Sequence, residues 1–120
     1  MSNEYLEAKN LILEKWWTFR DNINDYLPDN PYNGVARPSY YTYYSEMSVL
    51  DIGYLSEQIH SFADTVSGTV MGNHVGFETA DAVKKFDESA KTNDILQVLT
   101  SVWNAFRVFR TTVLVLEKLN

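Results

Sequence analysis

The chain has no cysteine among its 120 residues. That removes disulfides, thiolate metal sites, iron–sulfur clusters and a cysteine nucleophile together. It also fits a reducing, cytoplasmic setting. The three prolines, Pro28, Pro31 and Pro38, fall in one short stretch, so none interrupts the apolar periodicity elsewhere. No apolar run approaches the roughly 18–20 residues that span a bilayer, and "TTVLVLEKL" is broken by Glu117 and Lys118. The opening "MSNEYLEAKNLILEKWW" lacks the apolar core of a signal peptide. A soluble, cytoplasmic protein without a membrane partner is the expectation.

Positive charge is missing from the middle of the chain. Between Pro38 and Val83 there is no lysine or arginine, whereas six carboxylates occur there, Glu46, Asp51, Glu57, Asp64, Glu78 and Asp81. Those six equal the whole formal charge of −6, so the two flanks cancel. Nucleic acid is disfavoured as a direct ligand, because phosphate binding needs clustered Lys and Arg. Recognised catalytic or nucleotide-binding motifs are absent too: there is no G-x-S-x-G, no Walker-type loop and no dinucleotide fingerprint. The expectation is a non-enzymatic protein without a cofactor.

What is present is helical periodicity. Tyr5, Ala8, Ile12, Trp16, Phe19, Ile23 and Tyr26 recur at three- and four-residue steps, with Leu6, Leu13 and Trp17 widening the stripe. Trp16 and Trp17 lie about 100° apart on such a helix, which places one at the stripe's edge as a candidate binding anchor. Tyr44, Met47, Leu55, Ile59, Phe62 and Val66 draw a second stripe, and Ala80, Val83, Phe86 and Ala90 a third. In the last segment Ile95, Leu99, Val102, Phe106, Phe109, Val113 and Leu116 alternate in four- and three-residue steps after an Asn93 cap. "SGTVMGNHVG", with three glycines, reads as a loop. The reading is an all-α, compact four-helix bundle with helices over 3–27, 40–68, 79–91 and 94–119, a single domain over 1–120. The last helix is apolar on more than one side, which suggests a homodimer.

Two patterns bear on chemistry. Glu57-Gln58-Ile59-His60 matches half of the Glu-x-x-His repeat of carboxylate-bridged di-iron bundles. The other histidine, His74, has Met71 where the second glutamate would be needed. Glu57, His60 and Asp64 also project opposite the Leu55/Ile59/Phe62/Val66 stripe, so a solvated polar face is expected in place of a metal site. His74, flanked by glycines, reads as a polar loop residue.

The second pattern is the cluster Tyr40, Tyr41, Tyr43 and Tyr44, which cannot all face one core. Exposed phenols suit an interface, where an apolar body packs and a polar tip stays wet. Together with the base-free segment they give the expected function: a protein-binding module that docks on a basic site of a larger nucleic-acid-handling protein. Inhibitor, immunity and mobile-element (phage-type) factors have this character. The expected contacts are Tyr40, Tyr41, Tyr43, Glu46, Glu57 and Asp64. The alternative is a bundle that binds a nucleotide-like small ligand on Tyr or Trp, with Arg37, Arg107 or Arg110 on its anion. Arginines converging with tyrosines on a cavity would favour the ligand, and arginines consumed by internal ion pairs would favour docking. Helical projection also places Asp51 and Arg110 near the inward faces, which predicts a buried pair between them, or with Arg107 or Arg20.

Overall fold

The computed structural model describes residues 3–24 and 52–118, less the side chains of Asn24 and His74. Among them it shows an all-α bundle of four helices: α1 (Asn3–Asn24), α2 (Ile52–Ser67), α3 (Gly72–Ala90) and α4 (Ile95–Glu117). The 40–51 part of the second expected helix lies outside the described residues, as do Asp51, Met47 and the Tyr40–Tyr44 cluster. No helix among the described residues is long and apolar enough to cross a membrane.

The core forms where the stripes meet. Ala8, Ile12, Trp16, Phe19 and Ile23 from α1 pack with Leu55, Ile59, Phe62 and Val66 from α2 and with Leu99, Val102, Phe109, Val113 and Leu116 from α4. Burial of each large side chain contributes roughly 1.5–3 kcal/mol. At its centre Phe62 stacks on Phe109 with ring centroids 4.2 Å apart, and Phe19 meets Phe109 edge-on at 5.0 Å. Trp16 touches Phe62 and, at 5.1 Å, Phe106.

Three expectations are corrected. First, the stretch 69–78 expected to be a loop between helices is mostly helix, because α3 begins at Gly72 and not near Thr79. Packing overrides the glycine penalty of roughly 1 kcal/mol per residue. Met71 and Thr79 are buried, and the Thr79 hydroxyl donates to the Gly76 carbonyl at 2.8 Å. Gly72 is needed for the corner itself: a Cβ there would lie 3.0 Å from the Val66 carbonyl oxygen and 3.1 Å from that of Ser67.

Second, the inward face of α3 is rotated from the expected one. Thr79, Ala82, Phe86 and Ser89 are buried, whereas Ala80 is exposed and Val83 and Ala90 are half-buried. Ser89 tolerates burial because its hydroxyl donates to the Phe86 carbonyl at 2.7 Å.

Third, Asp94 and not Asn93 caps α4. Its Oδ1 accepts from the backbone N–H groups of Leu96 at 3.0 Å and Gln97 at 3.3 Å. Asn93 takes a left-handed conformation, φ 57°, which turns the chain between α3 and α4. Asparagine is one of the few residues that adopts it readily.

Candidate functional site

Two surfaces carry features beyond core packing. The first is the outer side of α2. Glu57 and Asp64 are both exposed and seven residues apart, hence on one face and about 10 Å apart along the axis. The helix carries no lysine or arginine to neutralise them. The other expected contacts, Tyr40, Tyr41, Tyr43 and Glu46, lie outside the described residues.

His60 lies on the solvated side, its side chain 41% exposed, but it is engaged there. Its Nε2 donates to Asp87 Oδ1 at 2.9 Å and so ties α2 to α3 at a half-exposed rim. On the other flank the Asn22 amide donates to Gln58 Oε1 at 2.9 Å and ties α2 to α1. Among the described residues no group of three His, Cys, Asp or Glu is placed to hold a metal ion. His74 falls within α3, not in a loop.

The second surface is the seam between α1 and α4. There Trp17, Arg20, Phe106, Arg110, Leu114 and Glu117 line a cleft of about 440 Å³, with Trp16 and Val113 at its base. The adjacent tryptophans divide as helical geometry requires: Trp16 is 6% exposed and Trp17 is 54% exposed. Trp17 and Leu6 therefore do not widen the buried stripe but lie beside it in solvent. The Arg20 guanidinium carbon sits 5.1 Å from the centroid of the Trp17 ring, a cation–π arrangement.

Arg110 is exposed, which corrects its expected inward position. Its partner in that expectation, Asp51, lies outside the described residues. Position 110 projects beside, not onto, the line through Val102, Phe109 and Val113. That offset carries a long side chain out to the seam. Neither Arg20 nor Arg110 is ion-paired among the described residues, whose carboxylate bridges are Asp81–Lys85 and Asp87–His60. Arg107 points away from the cleft, toward the α3 side, and donates to Asn104 Oδ1 at 3.0 Å. Arginines thus converge on an aromatic cleft, but its rings are those of tryptophan and phenylalanine and not of tyrosine.

A larger groove of about 620 Å³ lies between α3 and α4, lined by Lys85, Glu88, Ser89, Thr92, Gln97 and Thr100 among others. Three of its four hydroxyls are turned to the backbone of their own segment, and the fourth, that of Ser101, donates to the Lys85 carbonyl at 3.5 Å. Ser89, Thr92 and Thr100 donate to the carbonyls of Phe86, Ser89 and Leu96 at 2.6–2.8 Å. No protein-family model, curated protein or solved structure matches the chain.

Proposed function

We propose that this chain is a non-enzymatic protein-binding module that docks an acidic face on a basic site of a larger, nucleic-acid-handling protein, in the manner of a small inhibitor, immunity or mobile-element factor. The observation that supports this reading is the outward pair Glu57 and Asp64 on a helix without bases. A basic site evolved for phosphate presents clustered Lys and Arg. Each of the two carboxylates attracts such a site, with a strength that falls as salt rises. Such complementarity speeds encounter and selects the partner more than it deepens affinity. Tyr40, Tyr41, Tyr43 and Glu46, which lie outside the described residues, are the further contacts this reading expects from the sequence.

The test is a bait experiment with the intact chain, reading association rates against salt for the protein it retains. Glu57→Lys with Asp64→Lys leaves the circular dichroism spectrum unchanged, slows association on the order of tenfold at low salt and flattens the salt dependence. Equal rates and equal salt response for the reversed and natural chains would remove the acidic-face reading. We further propose a homodimer. α4 leaves Leu96 and Val115, neither of which lines the cleft, about half exposed. Light scattering checks it, and a strict monomer near 14 kDa at high micromolar concentration is the contrary result.

A further inference from the structure

We propose that the cleft between α1 and α4 binds a small aromatic anion of nucleotide size, a ligand separate from the docking partner. Its volume, about 440 Å³, falls within the roughly 300–1,000 Å³ of small-ligand pockets. Its residues divide into the three functions such a ligand needs.

The apolar floor is fixed in advance. Phe106 is half-buried and packs on Trp16 at 5.1 Å, on Phe19 at 6.1 Å and on Trp103 at 5.6 Å. It is thus an outlying member of the core's aromatic cluster, held in place whether or not a ligand is bound. Trp17 stands beside it with half its surface in water. An exposed indole next to a preformed aromatic floor gives a planar ring a surface to stack on, on the indole face that Arg20 does not cover.

The cationic rim is equally specific. In a chain with 16 acids against 10 bases, two guanidiniums flank one cleft, and neither is ion-paired among the described residues. The Arg20 guanidinium carbon lies over the Trp17 ring, 5.1 Å from its centroid, which holds the side chain at the cleft, and its N–H groups make no ion pair among the described residues. The N–H edge is the part of arginine that forms paired hydrogen bonds to phosphate or carboxylate. Arg110 offers a second such edge from the opposite helix.

Glu117 closes the end of the cleft. A carboxylate there repels a ligand that is anionic at both ends, and it accepts from a hydroxyl or an amine. The combination of a stacking floor, two anion contacts and one acceptor fits a nucleoside phosphate: base on Trp17 and Phe106, phosphate between Arg20 and Arg110, and a sugar hydroxyl or base amine toward Glu117. No residue of α2 lines the cleft, so this site and the proposed docking face are tested independently.

Titration of the intact protein with AMP, ADP and ATP, followed by tryptophan fluorescence and calorimetry, decides the matter. Trp17 is the exposed one of the chain's three tryptophans, since Trp16 and Trp103 are buried. Saturable quenching is therefore expected, with adenosine and inorganic phosphate each binding at least about tenfold more weakly than the best nucleotide. Arg110→Gln and Arg20→Gln each weaken binding by roughly 10- to 100-fold, as loss of a charge-assisted hydrogen bond does. Trp17→Phe abolishes the fluorescence change while calorimetry still detects binding, and Trp17→Ala loses both. The Glu57→Lys/Asp64→Lys chain binds nucleotide as the natural chain does. The proposal is overturned by no saturable signal up to millimolar nucleotide, by affinity unchanged in the Arg20→Gln/Arg110→Gln double variant, or by phosphate or adenosine alone binding as tightly as the nucleotides.

Discussion

The outer face of α2 and the α1–α4 seam are built on the same core yet present opposite chemistry. Over α2 the solvent positions carry Glu57 and Asp64 with no base on the helix. Along the seam the solvent positions carry Trp17, Arg20 and Arg110. α2 is closed on both flanks by side-chain bonds, Gln58 to Asn22 and His60 to Asp87. The seam has no such bond among the described residues, and its walls stand apart far enough to leave a cleft. A bundle of this size needs only one buried stripe per helix, so flank positions are left free to differ. Here they differ in sign of charge and in shape. In the proposed reading the α2 face takes a large partner and the cleft a small one.

The most severe way to break this contrast is to remove what the two regions share. Phe62→Ala deletes a ring that touches Trp16, Phe19 and Phe109, and it is expected to destabilise by about 3–5 kcal/mol. Denaturant titration reads the loss, and both proposed binding activities should fall together at temperatures where the natural chain is folded. Survival of one without the other would mean that the two faces do not rest on one cooperative core.

A finer separation comes at the α2–α3 corner. Gly72→Ala drives a methyl group against the Val66 and Ser67 carbonyls, and it should destabilise by roughly 1–3 kcal/mol. Gly76→Ala, four residues further into the same helix, meets nothing within 4 Å. It should stabilise by about 0.4–1 kcal/mol. Opposite signs in paired thermal melts are the expected result, and equal signs would show that the corner is not as tight as its geometry implies.

Smaller effects sharpen the picture further. Asp94→Ala removes two hydrogen bonds from the start of α4 and should cost about 1 kcal/mol without altering either surface. His60→Ala should cost less than about 1 kcal/mol, because its bond to Asp87 lies at a half-exposed rim. A larger loss on chemical denaturation would make that bond a principal fastening of the acidic face.

Most of the core was legible from residue spacing alone, since Ile12, Trp16, Phe19, Ile59, Phe62, Leu99 and Phe109 repeat at the period of a helix and end up buried. The start of α3 was not. Glycine lowers local helix propensity, and the burial of Met71 and Thr79 that outweighs it depends on contacts distant in sequence. The cleft was legible only in fragments. Adjacent tryptophans implied that one would be displaced from the core, but nothing local shows that Trp17 and Arg20 stand opposite Arg110. Arg110 itself was misplaced because a rotation of less than one residue separates an inward position from the seam, and an exposed solution is less costly than burying a guanidinium.

The short connections have a consequence for the order of assembly. Four residues join α2 to α3 and four join α3 to α4, so these helices meet through contacts close in sequence. α1 reaches the same core only across the intervening residues 25–51. Closing a long segment delays the contacts that depend on it, while local contacts form early. α2, α3 and α4 are therefore expected to form the folding nucleus, with α1 arriving last although it is synthesised first. Substitutions of Ile12 and Phe19 should speed unfolding and leave the folding rate nearly unchanged, whereas those of Phe86 and Val102 should slow folding. The contacts of α1, the seam beside Trp17 among them, are by the same logic expected to close after those among α2, α3 and α4.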